Sequence, residues 1–419
     1  MRYLIEGGKK LIGEVQISGN KNSVFPCVAA ALLTDQEVVL ENVPQIRDVE
    51  ILVQILKDLG VKVSLDKNVL TINAEGLRKY SLADGLAIKL RGSIVLVGGL
   101  LGRMGKVSFH HPGGDIIGKR SIETHLLGFK SLGATVKKDD LNFSVHYADK
   151  LPSEDVNIFL PEASVTATEN IILASVLGKR VVILRNCTKE PHVVDLCKML
   201  VQMGVSIEGI GTDTLIITSS ERLNGTRFRI GADPIEIGTY AIAAAITNGK
   251  ITLSGVDSTD FDPMFCVLER MGVKIEKKQE QLVCFTDLLK SISKIQTNIW
   301  PGFPTDLMSV AVVLATQAKG ITLCHDWMYE SRMFFVDKLI AMGAHITLAD
   351  PHRVLVYGPA GLKARELETP DIRAGMALVL AALVAKGKSI INRAELIERG
   401  YEDVVGKLRS LGADIERKE

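Results

Sequence analysis

Apolar and polar positions fall into a phrase that returns six times along the chain: apolar, two variable residues, Leu or Met, Gly, Val or Ala, a variable residue, Val or Ile. It reads LKDLGVKV, FKSLGATV, LVQMGVSI, LERMGVKI, LIAMGAHI and LRSLGADI, with glycines at Gly60, Gly133, Gly204, Gly272, Gly343 and Gly412. The successive spacings are 73, 71, 68, 71 and 69 residues, a regularity that marks a repeat architecture. Each phrase predicts the end of an amphipathic helix, a glycine in the left-handed conformation and a strand of alternating character. Between phrases runs a second element, an almost wholly apolar helix closed by a polar turn and a strand, as in IILASVLGKRVVIL, YAIAAAITNGKITL and MALVLAALVAKGKSII. A helix apolar on every side must be buried on every side. The repeat is therefore a buried helix, a strand, a loop, a surface helix and a strand pair, in an α/β fold.

At 419 residues the chain exceeds what one core usually serves, and six units divide naturally into two lobes of three. The first 19 residues read as strand, expected to pair with the last unit. The lobes would then comprise residues 20–232, carrying the loop 111–120, and residues 1–19 plus 233–419. The chain would cross between them near residues 20 and 232, and such a cleft suits a ligand.

Charge changes this picture only locally. Fifty Lys and Arg against 49 Asp and Glu argue against a general nucleic-acid or membrane-surface partner and for focused sites. Six cysteines without a C-x-x-C pair, mostly in apolar surroundings, suggest a reducing compartment and neither disulfides nor zinc. The opening residues lack a signal-peptide pattern, and the longest apolar run, near Ala374 to Ala385, is shorter than the roughly 20 residues that span a bilayer. A cytoplasmic protein is expected.

Counting back 13 from the phrase glycines places Arg47, Arg120 and Arg399 at the expected starts of surface helices. A cation there opposes the helix dipole, yet beside outward-pointing amides it suits an anion. Arg47, in PQIRDVE, reads as a solvated surface residue. The starts of the buried helices are charged as well: Lys21 and Asn22 in SGNKNS, Arg91 in KLRGS, Thr168 and Glu169 in TATEN, Asp306 in GFPTDL, Asp371 and Arg373 in TPDIRAG. Cations converging with one or two carboxylates describe a polyanion pocket containing a general base; interdomain salt bridges are the alternative. The loop HPGGDIIGKR, His111 to Arg120, is a candidate lid, without the spacing of a nucleotide-triphosphate loop.

Taken together, SGNKNS, RGS, GGD-x-I-G-x-R, SV-x-ATEN, GFPTD, E-S-R, PDIRAG and ERGYED resemble, in order and over nearly the whole chain, the UDP-N-acetylglucosamine enolpyruvyl transferases. The resemblance implies two inside-out α/β barrel lobes of three βαβαββ-like repeats each. It implies that Lys21, Arg120 and Arg399 bind phosphoenolpyruvate, with Arg91, Arg332 and Arg373 completing a cationic site. Asn22 and Asp306 would meet the acetylglucosamine, with Asp306 taking the proton of the sugar 3-hydroxyl. Ser164, Val165 and the run Ser121, Ile122, Glu123, Thr124, His125 would hold the uridine diphosphate. No metal or cofactor is implied. Asp115 stands where most of that family has a cysteine acting as general acid and alkylated by fosfomycin, which implies resistance to that epoxide. Thr166 stands where glycine is usual. The related 3-phosphoshikimate enolpyruvyl transferases share the architecture but not these motifs; a sister enzyme using another uridine nucleotide, and a catalytically silent member, remain alternatives.

Overall fold

The computed structural model describes residues 1–82, 85–114, 117–148, 153–257 and 261–419. All six phrase glycines have φ between +91° and +104°, where a side chain is strained and glycine is not, so each surface helix ends and its strand begins there. Among the described residues, six four-stranded sheets result. In the first, strand Glu37–Glu41 follows the buried helix, pairs antiparallel with Val69–Asn73, and that strand pairs antiparallel with Lys62–Asp66, which follows Gly60. Strand Thr226–Arg229 closes the edge in parallel with Glu37–Glu41.

Contacts divide the chain into two compact units: Met1–Ser18, Asp115–Lys119 and Ala232–Glu419, and Gly19–Gly114 with Arg120–Gly231. Each has its own hydrophobic core. The first 19 residues supply two strands with different destinations. Arg2–Glu6 pairs antiparallel with Lys388–Asn392 and Asp414–Lys418 of the sixth sheet, as expected, whereas Ile12–Gln16 pairs in parallel with Lys250–Ser254 of the fourth. The loop 111–120 also differs from expectation. It does not belong wholly with residues 20–232, because Ser331 N donates to Ile117 O (3.0 Å) and Lys119 N to Glu330 Oε1 (2.7 Å), which ties Ile117–Lys119 to the first unit.

The apolar helices occupy the cores. All thirteen residues of Pro234–Ile246 are buried, as are twelve of the thirteen in Ile372–Val384. In the other unit, helix Leu96–Met104 meets its neighbours backbone to backbone: a Cβ on Gly98 would lie 2.4 Å from Asn170 O, and one on Gly99 2.5 Å from Ala29 O. Asn170, of the TATEN motif, fastens this crossing by accepting from Gly98 N (2.5 Å) and donating to Ile94 O and Thr166 O (both 3.0 Å). Close packing of this kind fixes where the helix N-termini, and their charged residues, are presented.

Candidate active site

In unit Gly19–Gly114 with Arg120–Gly231, Asn20 caps helix Lys21–Ala31 by accepting from Asn22 N (2.9 Å). Lys21 opens that helix, only 9% exposed, with Nζ 2.7 Å from Asp48 Oδ2. Asp48 follows exposed Arg47 in helix Arg47–Asp58 and is itself buried, so the solvated reading of Arg47 holds while its neighbour carries the interaction. Asp195 accepts from Ser23 Oγ (2.7 Å) and sits beside Cys27, whose thiol is pushed up by burial and by that carboxylate.

Arg91 opens a 3-10 turn, Arg91–Val95, ahead of its buried helix. Its guanidinium closes the base of the glycine loop, Nη1 donating to Pro112 O (3.2 Å) and Nη2 to Arg120 O (2.8 Å). Gly114 has φ +110°, and a Cβ there would press on Arg91 Cβ at 2.7 Å. Arg120 lies three residues before helix Glu123–Ser131 rather than at its start. Asp115, at the loop's centre, lies outside the described residues.

The two segments assigned to the nucleotide come together. Helix Val165–Ser175 begins after Ser164, whose side chain makes no capping bond, so its first-turn amides remain available to an anion. Thr124 Oγ1 reaches Glu162 Oε2 (3.5 Å), and His125 Nε2 meets Thr166 Oγ1 (3.0 Å). His125 is held neutral, its pKa brought down to about 3 by burial and by Arg91. Ser121 Oγ accepts from Glu123 N (3.2 Å), and Ile122 is buried beneath the turn. Thr168 and Glu169 are not at the helix start, as expected from TATEN, but are its fourth and fifth residues. Thr168 Oγ1 donates back to Ser164 O (2.9 Å) and accepts from Thr188 N (3.2 Å). Glu169 is buried with His192 Nε2 3.9 Å from its Oε1, and burial together with Glu190 raises its pKa well above the carboxylate range.

In the other unit, Asp306 lies in a 3-10 turn, Thr305–Leu307, that leads into helix Met308–Gln317. Both its oxygens are engaged. Arg332 Nη2 donates to Oδ1 (3.0 Å), and Arg373 Nε and Nη2 approach Oδ2 (2.9 Å each). Both arginines are almost fully buried. Burial pulls each guanidinium pKa down, but Asp306 and further carboxylates outweigh it and raise both. Asp371 caps helix Ile372–Val384 through Arg373 N (2.8 Å) and Ala374 N (2.9 Å), and Tyr401 places its ring 5.4 Å from the Arg373 guanidinium carbon. Arg399 ends a 3-10 segment, Ala394–Arg399, five residues short of helix Val404–Ser410. The preceding Glu398 accepts from Tyr3 Oη (2.9 Å).

Lys21, Arg91, Arg120 and the two segments expected to hold a nucleotide thus belong to one unit, and Asp306, Arg332, Arg373 and Arg399 to the other. Sequence reading missed Asp48 and the buried Asp326, which accepts from Met328 N and Tyr329 N (3.0 and 3.2 Å). An aspartate bonded to the amides two and three residues ahead is a turn signature, the one trace HDWMY offered. Among the described residues there is no cluster of His, Cys, Asp or Glu able to hold a metal, and no helix long and apolar enough to cross a membrane.

The EPSP synthase (3-phosphoshikimate 1-carboxyvinyltransferase) family model matches residues 5–408. A UDP-N-acetylglucosamine 1-carboxyvinyltransferase of Treponema denticola is 46% identical over 100% of this chain and 99% of its own length; that of Borreliella burgdorferi is 46% identical over 99% and 98%. Among solved structures, the enolpyruvyl transferase NikO from Streptomyces tendae superposes with a TM-score of 0.88 at 24% identity, covering 99% of this chain and 98% of its own. EPSP synthase from Acinetobacter baumannii gives 0.75 at 19%, covering 99% of each chain. These last two speak for the fold.

Proposed function

The chain belongs to the EPSP synthase family, among its UDP-N-acetylglucosamine 1-carboxyvinyltransferases, and we propose from this that it performs their reaction in the cytoplasm as the first committed step of peptidoglycan synthesis. The enolpyruvyl group of phosphoenolpyruvate passes to the 3-hydroxyl of UDP-N-acetylglucosamine, and phosphate leaves.

Lys21, Arg120 and Arg399 take the phosphoenolpyruvate anion, with Arg91, Arg332 and Arg373 adding positive charge. Asn22 and Asp306 meet the sugar; Ser164, Val165 and Ser121 through His125 hold the nucleotide. Asp115 protonates the vinyl carbon, which makes the adjacent carbon electrophilic. Asp306 removes the proton of the 3-hydroxyl, and the sugar oxygen attacks that carbon. The tetrahedral adduct then expels phosphate with loss of the proton gained at the methyl carbon, leaving the enolpyruvyl ether.

The observation that carries this reading is a carboxylate, Asp306, held on both oxygens by two buried arginines. A base in such a setting is matched to substrates that are themselves anions, because they offer the guanidiniums replacement partners. Phosphate release from phosphoenolpyruvate, measured separately with UDP-N-acetylglucosamine, shikimate 3-phosphate and UMP, tests it. Release with the first alone is expected. Release with either of the others would reassign the acceptor, and release with none would make the chain a silent member.

A further inference from the structure

Asp326 is wholly buried just after strand Gly320–His325, and no part of the proposed chemistry touches it. Its carboxylate nevertheless connects three parts of the site. Oδ1 accepts from Met328 N (3.0 Å), Tyr329 N (3.2 Å) and Thr297 Oγ1 (3.3 Å), shaping the turn that leads to Glu330, the acceptor of Lys119 N. Oδ2 accepts from Thr305 Oγ1 at 2.5 Å, one residue before Asp306. Arg332 Nε lies 3.8 Å from the same oxygen, while Nη2 of that guanidinium holds Asp306. The backbone of Asp326 is fixed as well, its N donating to His352 O (2.9 Å) and its O lying 2.7 Å from His352 Nδ1.

We infer that Asp326 is a positioning residue for enolpyruvyl transfer, placing Asp306 through Thr305 and setting, through Arg332, how strongly Asp306 is held.

The turn and Thr297 need only an acceptor at Oδ1, which an amide oxygen would supply; at Oδ2 an amide nitrogen would reverse the bond, with Thr305 Oγ1 accepting. Only Arg332 needs the charge. A buried carboxylate is costly unless it has a counter-ion, and Arg332 is the cation beside it. With Asp326 ionised, Arg332 divides its attraction between two carboxylates. Without that charge, Arg332 has Asp306 more nearly to itself, and Asp306 becomes a weaker base. Other charged and titratable groups around them are Asp371 and Tyr329 toward Arg332, Asp233 and Tyr401 toward Arg373, and His352 at the Asp326 backbone. All remain in place when Asp326 alone is changed.

The proposal rests on the transferase reading, and the pH profile of phosphate release with UDP-N-acetylglucosamine separates the two. Wild-type release establishes the reading, and its absence would remove the reading and the proposal together. Given wild-type turnover, Asp326→Asn is expected to lower kcat on the order of 10- to 100-fold, as for a small misplacement of a reacting group. The acid limb of its kcat profile should move down on the order of one pH unit, because the profile rises as Asp306 ionises. Thr305→Val should lower kcat with the limb unmoved, and Thr305→Ser should restore it. A merely destabilising role would lower the active fraction without moving the limb. An unmoved limb in Asp326→Asn, or, if that variant does not fold, full kcat in Thr305→Val, overturns the proposal.

Discussion

At the start of its first buried helix, one unit presents a cation held by a carboxylate, Lys21 by Asp48; the other, at Asp306, presents a carboxylate held by two cations. The same position in the repeat thus carries opposite polarity, and in both places the reactive charge already has a partner. Neither a bare lysine nor a bare aspartate is stored in the fold. In the proposed reaction substrate anions exchange partners with these groups, which would tie binding of the anion to release of the base. Glu169 gives the contrast a third case, a carboxylate inside a buried helix whose neighbours are Glu190 and a histidine rather than arginines.

Breaking the carboxylate side should have the largest effect. Asp306→Asn keeps the shape and part of the hydrogen bonding but removes the base, so kcat for phosphate release should fall on the order of 10²- to 10⁴-fold, with KM for UDP-N-acetylglucosamine nearly unchanged. Near-normal turnover would assign the base elsewhere. Asp115→Asn tests a carboxylate asked to give a proton and should cost on the order of 10²-fold in turnover. Asp115→Cys should stay active and become inactivated by fosfomycin over time, whereas the wild type resists, because a carboxylate is a much poorer nucleophile toward an epoxide than a thiolate. Covalent modification of the wild type would contradict this.

Breaking the cation side should cost less. Lys21→Ala removes one of several cations and should raise KM for phosphoenolpyruvate about tenfold, the equivalent of one charge-assisted hydrogen bond, while also lowering kcat. An unchanged KM would make the Lys21–Asp48 pair structural. Glu169→Gln sharpens the third case with the smallest effect. Because folding raises this pKa, the carboxyl contributes fully only below its unfolded value of about 4.3, and its contribution is lost as pH rises toward the folded value. The variant's thermal midpoint should match the wild type near pH 4 and exceed it by a few degrees at pH 8. A constant difference across that range would mean that Glu169 is not the group that titrates.

Much of the fold was legible because glycine's left-handed conformation and the all-round apolar helix are local demands, written within eight to fifteen residues of each repeat. The cations Lys21, Arg91 and Arg373 were legible too, since a charge beside a wholly apolar helix is conspicuous, whereas Arg332 came only through the family resemblance of E-S-R. Their partners were not. Asp48 reads as an ordinary first-turn acid beside Arg47, and Asp326 acquires its meaning from Thr297, Thr305 and Arg332, brought in by separate elements. Arg120 and Arg399 were displaced from their expected helix starts because turns, whose length the period does not fix, precede those helices.

The strand Arg2–Glu6, which lies between Lys388–Asn392 and Asp414–Lys418 in the sixth sheet, has a consequence for biosynthesis. It is synthesised long before its partners. Adding the residues up to Lys388 takes roughly 20 to 80 s at about 5–20 residues per second, and over that interval a strand of sequence RYLIE has both edges unpaired. The unit Gly19–Gly114 with Arg120–Gly231 has all its own strands by then and can fold before this strand is paired. The growing chain therefore carries an unpaired β-edge, the feature most prone to pairing with another chain, until those partner strands are made.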